Sequence, residues 1–201
     1  GADLVAFSGH KMLGPTGIGV LWGRRELLDQ MPPAMGGGEM IREVHQEKVD
    51  FREPPGRFEA GTPNVSGAIG LAAAIDYLER IGSEEIASHG RSLLAYAFRE
   101  AQGRFGDRLR IVGPPGTVDR EAVFSFALAG VHPHDVSTIL DLEGVAIRSG
   151  HHCAQPLMER LGVPALSRAS PYLYNTPEEL DRMFDALANV ETVFGRAGVP
   201  A

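Results

Sequence analysis

The residues with types and settings that can do chemistry fall in a few short motifs. Lys11 closes Phe7-Ser8-Gly9-His10-Lys11, directly after the apolar run Leu4-Val5-Ala6-Phe7 and a glycine that lets the backbone turn sharply. An amine at a strand end, hemmed in by Ser8 and His10 and partly desolvated, is the neutral nucleophile that a Schiff base with an aldehyde cofactor needs. A solvated surface lysine is the plainer alternative. Cys153 lies in Arg148-Ser149-Gly150-His151-His152-Cys153-Ala154, where a nearby positive charge would stabilise its thiolate. Zinc held by His151, His152 and Cys153 is a competing use, but adjacent side chains diverge and no second cluster with metal spacing follows. An inert buried thiol is the third reading. Arg148 and Arg168 sit among apolar or small neighbours at strand positions and need anions; a surface salt bridge would satisfy either. In Arg57-Phe58-Glu59-Ala60-Gly61-Thr62-Pro63-Asn64 the backbone amides and the Thr62 hydroxyl can grip a phosphate, whereas plain helix entry would need only Asn64 as a cap.

These motifs must be positioned by an α/β framework. The run at Leu4 to Phe7 reads as a strand covered on both faces, and Ile18 to Trp22 as its partner. Arg24 to Gln30 predicts a short helix stopped by Met31-Pro32-Pro33. From Met35 to Asn64 the pattern dissolves into a long loop, of the kind that closes over a site or meets another subunit. Ala68, Leu71, Ile75 and Leu78 give a helix over 65–81, and Ser83 caps the next one, striped by Ile86, Leu93, Leu94, Ala97 and Phe98 and running to about Gln102. Strands follow at Leu109 to Val112, Ala122 to Leu128 and Val145 to Arg148, with a helix at Pro133 to Leu142. A short helix at Leu157 to Leu161 and an extended segment near Ser167 to Tyr174 precede the last helix, which opens on Thr176-Pro177-Glu178-Glu179. The texture changes near Gly82, so residues 1–82 and 83–201 are the expected domains.

Composition narrows the function. A formal charge of -7 argues against a nucleic-acid partner. No apolar run approaches the roughly 20 residues that span a bilayer, so no membrane association is expected, and a reducing cytoplasm is the expected setting. A lone cysteine excludes an internal disulfide.

Taken together, Ser8-Gly9-His10-Lys11, the segment 57–64, Arg148 to Ala154 and Arg168-Ala169-Ser170 resemble, in order and spacing, the carboxy-terminal half of a group II (SufS-like) cysteine desulfurase of the class-V aminotransferase family. The resemblance covers essentially the whole chain. It implies the pyridoxal-phosphate-dependent transferase fold type I, aspartate aminotransferase-like, with residues 1–82 as part of the large cofactor-binding domain and 83–201 as the small α/β domain. Lys11 then matches the lysine that holds pyridoxal phosphate and moves protons at the substrate α carbon. Ser8 and His10 match ligands of the cofactor phosphate, and Gly61 with Thr62 the loop that reaches it from the other subunit of a homodimer. Arg168 matches the arginine that pairs with the carboxylate of L-cysteine, and Arg148 lines the same site. Cys153 matches the nucleophile that becomes a persulfide and hands sulfur to a SufE- or SufU-like acceptor protein for iron-sulfur cluster assembly.

The family's cofactor-stacking histidine and its aspartate and glutamine precede the lysine and are absent here, which implies an isolated chain that is inactive or nearly so. Pro171 departs from the usual residue after Arg168-Ala169-Ser170, so the strand there is expected to shift. A selenocysteine lyase or kynureninase-like enzyme on the same fold, an inactive fragment acting only as an interaction module, and a zinc-binding module are the rivals.

Overall fold

The computed structural model describes residues 1–118 and 120–195. They form two compact units, Gly1–Ile81 and the described residues from Gly82 onward. Six residues at the end of the expected second domain, 196–201, lie outside the described residues.

In the first unit β1 (Leu4–Ser8) pairs antiparallel with β2 (Gly19–Gly23), from Leu4 opposite Gly23 to Ser8 opposite Gly19. Their side chains are not covered: Leu4, Val5 and Phe7 are 45%, 42% and 38% exposed, against the burial on both faces expected from the apolar run. The reason is topological, because among the described residues these two strands have only each other as neighbours. Helix α1 (Arg25–Gln30) follows and stops where Met31 turns extended. The segment expected to be one long loop contains an antiparallel hairpin, β3 (Ile41–Val44) and β4 (Val49–Phe51). Its mixed charge hid it, since a hairpin solvated on both faces shows no alternation of apolar and polar residues. Helix α2 (Val65–Ile81) buries Gly67, Leu71 and Ala74, while Ala68 of the expected stripe is exposed.

The second unit begins with α3 (Ser83–Phe105), which is a turn longer than expected and starts from Gly82, not Ser83, as its cap. Strands β5 (Leu109–Val112), β6 (Phe124–Leu128), β7 (Arg148–Gly150) and β8 (Leu166–Ala169) make one antiparallel sheet in the order β5-β6-β8-β7. Helices α4 (Pro133–Leu142), α5 (Gln155–Leu161) and α6 (Pro177–Phe194) complete it. Side chains alternate across a strand, so Phe124, Phe126 and Leu128 share one face and Ser125 and Ala127 the other. The phenylalanine face packs against Leu93, Leu94 and Ala97 of α3, Val136 and Leu140 of α4, and Phe184, Leu187 and Val190 of α6. Phe124 is fully buried, with ring centroids 5.3 Å from Phe126 and 6.0 Å from both Phe98 and Phe184. Strand β7 begins three residues later than expected, because ladder pairing to β8 starts only at Arg148 and Val145 to Ile147 form no strand. Strand β8 ends at Ala169, two residues before Pro171, which cannot donate to a ladder.

Candidate active site

Lys11 ends a short 3-10 turn, Gly9–Lys11, that follows β1 directly. Gly9 is buried and fixes the turn. Its amide donates to the Ile18 carbonyl at 2.9 Å, and its carbonyl accepts from Met12 (3.0 Å) and Gly14 (2.9 Å). A methyl group at Gly9 would stand 2.8 Å from Ile18 Cγ2, so only glycine fits. The loop from 9 to 18 is therefore closed at its base and stiff. Ser8 is half-buried, while His10 and Lys11 are exposed. The desolvation expected around Lys11 is thus not supplied within its own unit; the turn points the amine outward rather than under β1. An exposed amine on a stiff turn beside a strand-end hydroxyl is a donor set that fits an aldehyde carrying a phosphate.

Gly61 and Thr62 stand apart from that turn. They line a cleft of about 410 Å³ together with Glu39, Arg52, Gly56, Glu59 and Pro63, and Ser8, His10 and Lys11 are not part of its lining. Gly61 adopts a left-handed backbone (φ 78°), and its amide donates to Gly38 at 2.9 Å. Among the described residues Arg52 is the one cation lining the cleft, and it is 3.4 Å from Glu39.

The second unit gathers Arg148, Arg168 and Cys153. Arg148 of β7 stands directly opposite Arg168 of β8, which in turn faces Ser125 of β6. Cross-strand partners share a face, so both guanidinium groups lie on the side of the sheet away from the phenylalanine core. Like charges set opposite each other destabilise a sheet unless an anion joins them. Arg148 Nη2 donates to Cys153 Sγ at 3.2 Å. The Nε of Arg168 is buried with no partner among the described residues, so it has an unmet demand for an acceptor.

Cys153 is exposed at the tip of a turn in which His152 (φ 56°) and Cys153 (φ 61°) are both left-handed, after Gly150 at φ 116°. Non-glycine residues pay for that conformation, and the surroundings must hold it. His152 does part of the holding. Its Nε2 bonds the Leu166 carbonyl of β8 at 3.0 Å, so Nε2 carries the proton and the buried Nδ1 is left as an acceptor. Burial first, then the charge of Arg168, pushes the imidazole below its usual proton affinity and favours its neutral form. Sequence reasoning weighed His152 only as a zinc ligand and missed this anchor; its link to Leu166 spans a helix and leaves no local signal.

Lys11 and Cys153 therefore belong to different units. Asn64 caps α2, with Oδ1 accepting from the Gly67 amide at 2.9 Å, and its Nδ2 also donates to the Gly17 carbonyl at 3.0 Å. The cap is readable in the sequence; the second bond is not.

Known proteins carry the same arrangement of elements. A probable cysteine desulfurase of Streptomyces coelicolor is 53% identical over 194 residues, covering 96% of this chain and 46% of the relative. The solved cysteine desulfurase CsdA of Escherichia coli, in an S-sulfonic acid form, is 40% identical with a TM-score of 0.89, over 96% of this chain and 47% of that one. An apo cysteine desulfurase of Thermococcus onnurineus NA1 is 42% identical with a TM-score of 0.90, over 96% and 48%. The chain thus spans about half the length of the relatives it matches. Its fold is of the fold type I, aspartate aminotransferase-like kind. Residues 1–183 match the description aminotransferase class-V, and the chain belongs to that family.

Proposed function

We propose that the protein is a pyridoxal-phosphate-dependent cysteine desulfurase of the group II, SufS-like kind, with residues 1–82 in its large domain and 83–201 as its small domain. The observation that carries the reading is the Arg148-to-Cys153 contact on a strand pair that also opposes Arg148 to Arg168. A thiol touched by one cation of a facing pair suits a substrate that brings both a carboxylate and a sulfur atom. Pyridoxal phosphate, when bound, supplies an electron sink at the substrate α carbon. Lys11 would hold the cofactor through its aldehyde carbon, with loss of water, and its amine, once freed, would move the α proton. Ser8 and His10 hold the phosphate, and Gly61 with Thr62 reach it from the partner of a homodimer, which accounts for their lying in a separate cleft. Arg168 binds the carboxylate of L-cysteine as a two-pronged donor, with Arg148 beside it. The Cys153 thiolate attacks the substrate sulfur, a sulfur-sulfur bond forms and the carbon-sulfur bond breaks. The electron pair left on carbon is protonated, so L-cysteine and a thiol become L-alanine and a persulfide. That sulfur passes, in the cytoplasm, to a SufE- or SufU-like acceptor for iron-sulfur cluster assembly.

The test uses purified protein that contains these residues at the full length of the relatives, supplied with pyridoxal phosphate. An absorption band of lysine-bound pyridoxal should form and be absent in Lys11→Ala, and L-cysteine should leave one extra sulfur on Cys153 by mass spectrometry. Alanine release at an undiminished rate in Cys153→Ala would overturn the role of the thiol. Because the chain spans about half the length of its relatives, the 201 residues alone are expected to turn over little or no substrate.

A further inference from the structure

The geometry points to Asn64 as a positioning residue that pins the Lys11-bearing loop to the segment carrying Gly61 and Thr62. One side chain serves two segments. Its oxygen accepts from the Gly67 amide at 2.9 Å and from Ser66 Oγ at 3.3 Å, which satisfies the exposed first turn of α2. Its nitrogen donates to the Gly17 carbonyl at 3.0 Å, 47 residues away. Gly17 stands next to Ile18, whose carbonyl closes the loop onto Gly9, so a bond to Gly17 fixes the far end of the same closed loop that presents Lys11.

The first turns of α2 are shaped to receive that loop. A methyl group at Gly67 would come within 2.5 Å of Asn64 Nδ2 and displace the side chain. A methyl at Gly70 would meet Pro15 Cγ at 3.0 Å, and one at Gly14 would meet Leu71 Cδ1 at 3.1 Å. Gly67 and Gly70 are three apart and so share a face of the helix. Bare backbone on that face admits Asn64 and Pro15 together. A helix cap alone would need the oxygen of Asn64 and nothing more; the amide nitrogen and the paired glycines serve the loop. The consequence for chemistry rests on the proposed role of Lys11, whereas the pin itself does not.

Asn64→Asp separates the two jobs, because aspartate caps a helix as well as asparagine but has no proton to give Gly17. In the intact protein, amide hydrogen exchange at Met12 and Gly14 should quicken by about three- to tenfold in Asn64→Asp, the range of one hydrogen bond, while Gly67 and Ala68 keep their protection. Binding of pyridoxal phosphate, read from the lysine-bound absorption band, should weaken by a similar factor. Asn64→Ala and Gly67→Ala should loosen the loop as well. Unchanged loop exchange in Asn64→Asp, or a loss of protection at Gly67 as large as in Asn64→Ala, would overturn the proposal. Faster loop exchange in a protein that forms no lysine-bound band would support the pin and sink the cofactor reading instead.

Discussion

Arg148 at the start of β7 reaches Cys153 five positions on, Nη2 to Sγ at 3.2 Å, while the same arginine stands opposite Arg168 in the neighbouring strand. The cation that touches the sulfur is therefore held by the sheet, not by the turn. Replacing it with leucine should slow alkylation of Cys153 by iodoacetamide near neutral pH by about three- to tenfold, the weight of one partly exposed charge-assisted bond. Arg148→Lys should recover part of the rate. Equal rates in Arg148→Leu and wild type would show that the contact does not govern the thiol.

His152 should make the second unit acid-sensitive. Its proton affinity in the folded state lies below the ordinary 6.5, through burial first and then Arg168, with Arg148 and His151 adding to it. Well above that value both folded and unfolded chains hold a neutral imidazole and nothing is lost. As the pH falls through about 6.5 the unfolded chain takes up a proton that the folded one refuses, so stability declines with acidity. Urea midpoints from about pH 8 to about pH 5 should therefore fall, and His152→Asn, which keeps a donor for Leu166, should flatten the slope.

The α6 entrance should respond at lower pH. Glu179 accepts from Asn175 Nδ2 at 2.9 Å and from the Thr176 amide at 3.0 Å, and both bonds hold its carboxyl below the ordinary 4.5, the Asn175 bond foremost. The stabilisation is complete above that value and is lost as the pH drops through the folded-state value. Glu179→Ala should lower the urea midpoint at neutral pH, and its gap from wild type should close in acid.

Phe124 carries the core of the second unit. Truncation to alanine leaves a cavity among Phe98, Phe126 and Phe184 and should cost about 3 to 5 kcal/mol, measured by chemical denaturation. Ser125→Ala, on the opposite face, should cost far less.

The sequence carried the second unit more fully than the first. The strand pattern at Ala122 to Leu128, the helix pattern at Pro133 to Leu142, and the Thr176-to-Glu179 opening each marked an element that the structure contains, since each buries one side against neighbours in the same unit. The apolar run at Leu4 to Phe7 marked a strand but misled about its covering, because burial depends on neighbours that composition does not name. The hairpin at Ile41 to Phe51 escaped notice for lack of a buried face. In the candidate site, residue types pointed to Lys11, Arg148, Cys153 and Arg168. What they could not show is contact: the reach of Arg148 to sulfur, of His152 to Leu166, and of Asn64 to Gly17 all depend on segments meeting through the fold.

The ribbon of β1 and β2 also has a practical side. Leu21 and Trp22 are half exposed, as are Leu4 and Val5 of the neighbouring strand, where Val5 stands opposite Trp22, and a two-stranded ribbon is marginal in water by itself. Open strand edges with oily surfaces recruit whatever polypeptide is at hand. Produced as these 201 residues, the protein should stick to itself in proportion to its concentration, and handling it will call for dilution, a solubilising fusion or co-production with a polypeptide that shields the ribbon.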